Sequence, residues 1–194
     1  MIINKHFNIE KETKDISFLE KNPNTRKAAI VPNVNEIARE MTSKSQILLM
    51  ITRVLKIPPQ KWVSLAFNNI FVAPMILAKN FFAGIKILCE LEILKSSRNE
   101  YILHNQFVDT SVAVNNPLLL KMFFNLSKKY NFKPGLLTYN PDLLIKLLSF
   151  SGKIPENLTI YCPLSQKYLK TMNTDYDTFV SFVKKANYKF VPVD

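Results

Sequence analysis

Glycine is almost missing from this chain, with three residues in 194. A phosphate-cradling loop needs several glycines close together, so P-loop and dinucleotide-binding motifs are excluded. Two cysteines leave no disulfide framework. The only histidines, His6 and His104, lie too far apart to suggest a Cys/His metal cluster. The most apolar region, 62–94, is interrupted by Asn68, Asn69, Pro74, Lys79, Asn80, Lys86, Glu90 and Glu92. No apolar run therefore reaches the ~18 residues of a membrane span. No nucleophile stands beside a base, and the spacing of Asp175 and Asp177 at a helix start suits capping. These gaps point away from an enzyme, a metal, a cofactor and a small-molecule substrate. Residues 1–6 lead into mixed charge rather than an apolar signal core, so a cytoplasmic location with reduced Cys89 and Cys162 is expected.

What the chain has is positive charge and apolar bulk. Lys and Arg number 26 against 15 Asp and Glu, a net +11, while 47% of residues are hydrophobic. Counted directly, the surplus is +2 over 1–27, +4 over 28–106 and +5 over 107–194, so it belongs to the folded body and not to a tail. A surplus of this sign and size is the electrostatic footprint of a polyanionic partner.

The pattern along the chain predicts a helix-rich α+β protein. Residues 1–32, polar with Pro23 and Pro32, suit a poorly ordered or partner-dependent arm. Asn33 or Asn35 caps a helix carrying Val34, Ile37, Ala38 and Met41, and Ser43 to Gln46 form a capping box. The helix it opens places Ile47, Leu48, Ile51, Val54 and Leu55 on one face, with Lys44 and Arg53 off that face, and Pro58 and Pro59 stop it. Trp62–Phe67 reads as a strand, followed by a short helix from Pro74 and a longer one from Asn80 to Leu91. Ile93–Lys95 and Tyr101–Leu103 read as a hairpin around a polar turn. This order predicts a winged helix–turn–helix over 33–106.

Lys56-Ile57-Pro58 recurs as Lys153-Ile154-Pro155, each after an apolar helix and before a strand-like run, which makes a second, degenerate winged helix one reading of 107–194. Within that half Asn116-Pro117 and Asn140-Pro141 start apolar helices, and Lys133-Pro134-Gly135 reads as a turn.

Residues 44–106 resemble the winged-helix segment of RepL-type plasmid replication proteins. The text that carries the resemblance is Ile85-Lys86-Ile87-Leu88 through Ile93-Leu94-Lys95, then Tyr101-Ile102-Leu103-His104-Asn105. It covers about a third of the chain. Where that family places Ser and Thr at the head of its recognition helix, this chain has Lys79-Asn80-Phe81-Phe82-Ala83-Gly84. The resemblance implies plasmid or phage replication, or transcriptional control, by a DNA-associated protein acting as a dimer on repeated sites.

The expected duplex-DNA contacts are Lys79, Asn80, Ala83 and Lys86 on the recognition helix and Lys95, Ser96, Ser97, Arg98 and Asn99 on the wing. The basic pairs Lys128-Lys129 and Lys184-Lys185, beside Tyr130 and Tyr188, suit helix C-termini more than stacking on single strands. Two other classes compete. Phe81 and Phe82 as an exposed apolar pair would make the protein an assembly or adaptor subunit. A basic body meeting anionic lipid would make it a peripheral membrane protein.

Overall fold

The computed structural model describes residues 28–42, 45–69, 81–96, 98–162 and 189–192. The helix-rich mixture of helices and strands is present, with seven helices and five strands among these residues. In chain order they are β1 (Ala28–Val31), α1 (Val34–Met41), α2 (Gln46–Val54), α3 (Gln60–Asn69), α4 (Phe81–Lys95), β2 (Glu100–Leu103), α5 (Asn105–Ala113), α6 (Leu118–Tyr130), β3 (Lys133–Leu137), α7 (Pro141–Ser149), β4 (Thr159–Cys162) and β5 (Lys189–Pro192). No described helix is long and apolar enough to cross a membrane.

The strands form one sheet in the order β1-β2-β3-β4-β5, and every pair is parallel. Parallel neighbours need crossovers, and right-handed crossovers advancing in one direction put their helices on one face. The burial pattern agrees. Alternate strand residues Val31, Tyr101, Leu103, Leu136 and Ile160 join the large core with the helices. The intervening Ala28, Ile102, Leu137 and Tyr161 form a separate cluster, with Ile30 against it, made wholly of strand side chains.

That second face closes over β3 through a missing side chain. A Cβ at Gly135 would lie 2.9 Å from both Ile102 Cγ1 and Tyr161 Cε2. The Tyr161 ring can therefore cross from β4 over β3, and its hydroxyl donates to Glu100 Oε1 on β2 at 2.5 Å. Pro134 sits in the same central strand without cost. The Lys133 N–H points to β2, bonding Asn99 O, and the Thr138 N–H points to β4, bonding Tyr161 O. By alternation the nitrogen of Pro134 faces β4, whose pairing begins only at Gly135.

Several expectations hold. Asn33 caps α1 by accepting from the Glu36 N–H. Tyr101–Leu103 lies in β2, and the segments after Asn116-Pro117 and Asn140-Pro141 are helices. Others are corrected. Trp62–Phe67 belongs to helix α3, and Ser45 rather than Ser43 caps α2, by accepting from the Leu48 N–H. Ile93–Lys95 is the last turn of α4, and β2 pairs in parallel with β1 and β3, so 93–103 is not a wing hairpin. Lys133-Pro134-Gly135 opens a strand, and Ala28–Val31, placed in the arm, is β1. The boundary expected near residue 106 falls inside one sheet, because β2 bonds to β3 and one core spans both halves. The helix pair of the proposed second winged helix lies outside the described residues.

Gly135→Ala is expected to cost about 1–3 kcal/mol through overpacking. Gly84→Ala, where an added Cβ meets nothing within 4 Å, should instead stabilise α4 by up to about 1 kcal/mol. Chemical denaturation of the two variants checks the pair, and equal effects would contradict the ring-over-glycine packing.

Candidate functional site

Helix α4, expected to present a face to DNA, is buried almost all round. Ala83, Ile85, Ile87, Leu88, Cys89, Glu90, Leu91, Ile93 and Leu94 are all in the interior, with Ala83 1% exposed. A helix apolar on every side is a core helix. Ala83 therefore has no access to a groove, and Phe82 packs half-buried against the core instead of forming an exposed patch. Lys79, Asn80 and Ser97 lie outside the described residues, as does the Phe81 side chain.

Lys86 is engaged from within. Its Nζ donates to Asn69 Oδ1 at 2.7 Å and lies 3.8 Å from Glu90 Oε2. Burial pushes the Lys86 pKa down against the pull of Glu90. The fully buried Glu90 also accepts from Lys129 Nζ and Tyr130 OH, each at 2.5 Å, and from Asn69 Nδ2 at 2.9 Å. Burial alone would raise the Glu90 pKa, and these donors more than offset it, so the carboxyl titrates below its usual range. Two residues on, Glu92 accepts the Asn33 N–H on both oxygens at 2.9 Å, and Arg53 Nη1 at 2.9 Å. Here burial prevails and the pKa is raised. Buried Arg53 also donates to Glu40 at 3.0 Å, and Lys56 lies 3.2 Å from the same carboxylate. Both glutamates on α4 are thus internal counter-ions to the scaffold's cations.

At the carboxyl ends of the strands, the polar groups are tied into their own loops. His104, after β2, caps α5 by accepting the Gln106 N–H on Nδ1, which leaves the proton on Nε2, and burial lowers its pKa. Asp109 on α5 accepts from Thr138 Oγ1 at 2.5 Å and from the Tyr139 N–H, stapling the loop after β3; burial raises its pKa against those bonds. Thr138 Oγ1 in turn accepts the Asn140 N–H. Among the described residues no group of three His, Cys, Asp or Glu is placed to hold a metal ion.

The amino ends of the strands differ in kind. Because all strands are parallel, the segments entering them meet one edge. Lys95 and Arg98 lead into β2, Lys128 and Lys133 into β3, and Lys153 into β4. Lys95, Lys128, Lys133 and Lys153 are exposed and Arg98 is half-buried, and none has an ion-pair partner among the described residues. Lys189 begins β5 on the same side. The Lys133 N–H donates to Asn99 O at 2.9 Å, which fixes the 96–99 loop against β3. Ser96 and Arg98 are anchored by the Tyr101 hydroxyl, which the Arg98 N–H approaches at 3.1 Å. The described acids at this edge are the exposed Glu156 and the buried Glu100, which opens β2 opposite Lys133.

Of the wing residues, Lys95, at the end of α4, is followed by Ser96, Arg98 and Asn99 in the segment that leads into β2. The sequence reading assigned no phosphate contact to Lys133 or Lys153, and gave Lys128 to the helix dipole. The available signal was a basic residue ahead of each strand-like run. No family model, curated protein or solved structure matches this chain.

Glu90→Gln is expected to cost about 1–3 kcal/mol at neutral pH, because it strands Lys129 and Lys86 beside a neutral group. A carboxyl whose folded pKa lies below the ordinary 4.5 contributes stability that is present above that value and lost as pH falls through the folded pKa. Denaturation at neutral and at acid pH should show the gap between variant and wild type shrinking in acid. A constant gap would contradict it.

Proposed function

We propose that this protein is a non-enzymatic nucleic-acid-binding protein, with duplex DNA as its first partner, and that it holds phosphate at the amino edge of its parallel sheet. One observation carries this reading: Lys95, Arg98, Lys128, Lys133 and Lys153 lie on the segments that enter one edge and have no ion-pair partner among the described residues. Elsewhere Arg53, Lys56, Lys86 and Lys129 are matched to glutamates, while the exposed Arg39, Lys121 and Lys146, like the edge cations, have no ion pair among the described residues. Five strands about 4.8 Å apart span about 19 Å, which is the rise of about five or six base pairs.

Contacts of this kind position a protein on the backbone without reading bases. The reading draws nothing from the winged-helix resemblance, since its recognition helix is buried and its wing is a connecting loop. A role in replication or transcription stays compatible with binding of this type and adds nothing to the surface that performs it.

The test is affinity for a labelled duplex and a labelled single strand between about 50 and 200 mM salt. Five phosphate contacts predict a slope of log affinity on log salt of about −4.5 for the duplex. Lys133→Ala and Lys153→Ala should each flatten it by about one. Arg39→Ala, an exposed cation on α1 where the chain leaves the opposite edge, should leave it unchanged. Absence of binding at the lowest salt, or an equal loss in the Arg39 variant, would sink the proposal.

A further inference from the structure

Helix α2 is turned the wrong way for a helix of a solitary protein. Its buried residues are Leu49 and Arg53, while Leu48, Ile51 and Leu55, spaced for one face, are 46%, 51% and 62% exposed. Helix α3 continues the exposure with Val63 at 63% and Phe67 at 75%. Trp62, 37% exposed, joins the two helices, because its indole N–H donates to the Val54 and Ile57 carbonyls at 3.1 and 3.0 Å. The purely apolar stripe faces out, and the side bearing an arginine faces in.

Single exposed apolar residues are ordinary, but a contiguous group is informative. Six such side chains present about 600 Å², at the upper end of what a monomer exposes. Two copies meeting there would bury about 1,200 Å² in all, where stable interfaces begin.

The charge decides what kind of partner fits. Two copies of a chain carrying +11 repel each other unless they meet through a face without unpaired charge. Among the described residues this face qualifies. Helices α2 and α3 carry no acid, and Arg53 is buried in its glutamate pairs. Lys56 is held by Glu36 and Glu40, and Lys61 Nζ donates to Leu94 O at 2.9 Å. A two-fold pairing needs one patch that complements itself, and an uncharged apolar face does so.

We infer that the outer face of α2 and α3 is a homodimer interface, with a second copy of this chain as its occupant. This face shares no residue with the phosphate-binding edge. Sedimentation of the full chain should give twice the 22.4 kDa of one copy, undiminished as salt rises, whereas nucleic-acid binding weakens. Ile51→Lys on α2 and Phe67→Lys on α3 should each raise the dimer dissociation constant by roughly tenfold or more. Circular dichroism should be unchanged, because both side chains already face outward. Phe150→Lys, at an exposed apolar residue elsewhere, should not shift the equilibrium.

A wild-type chain that sediments as one copy at every concentration would overturn the inference, the face then being covered by the chain itself or reserved for another partner. A dimer indifferent to both lysine substitutions would overturn it equally, by placing the interface elsewhere.

Discussion

Two glutamates on one buried helix organise this protein's charge. Glu90 and Glu92 stand two residues apart on α4, about 200° round the helix, so they reach opposite sides. Glu90 gathers Lys86, Lys129, Tyr130 and Asn69 from α3, α4 and α6. Glu92 gathers Arg53 and the backbone N–H of Asn33 from α2 and the turn after β1. A charge in an apolar interior is costly unless paired and hydrogen-bonded, so each carboxylate fixes where its partners must lie. The elements on the helical side of the sheet are thereby held in one relative placement.

The same pairing explains the surface. Each internal glutamate takes up cations of the scaffold, and among the described residues the remaining basic side chains lie mostly on the exterior. Parallel topology then sorts it. Every strand starts at one edge, so basic residues ahead of strands, scattered in sequence, become neighbours in space. The opposite edge keeps its imidazole, carboxylate and hydroxyl groups in bonds to its own loops.

The apolar surface is sorted by a different constraint. Arg53 must face inward to meet Glu40 and Glu92, and on a helix that choice commits the residues opposite it to the outside. Leu48, Ile51 and Leu55 are exposed because a buried ion pair won the inward side of α2. The result is an apolar face on α2 and α3 of a strongly basic chain.

Local chemistry was legible in the sequence where neighbours along the chain decide it. The Asn33 cap, the starts at Asn116-Pro117 and Asn140-Pro141, the β-rich Tyr101–Leu103 and the existence of a long helix after Asn80, though not its end, all depend on residues a few positions apart. So did the net charge and the lack of glycine-rich phosphate loops. Decisions between distant residues were not legible. Trp62–Phe67 is a short apolar run that suits strand or helix equally, and helix packing chose. Lys133-Pro134-Gly135 has the composition of a turn, yet becomes a central strand. There the proline nitrogen faces no bonded partner, and the bare glycine lets Tyr161 reach Glu100 across 61 residues of chain. The sequence by itself determined which segments could be helical, how much charge the fold must carry and which chemistries it lacks. Only the tertiary structure decided which stripe of α2 is buried and that the basic segments ahead of β2, β3 and β4 share one edge, because parallel pairing and buried ion pairs join residues that no local pattern connects.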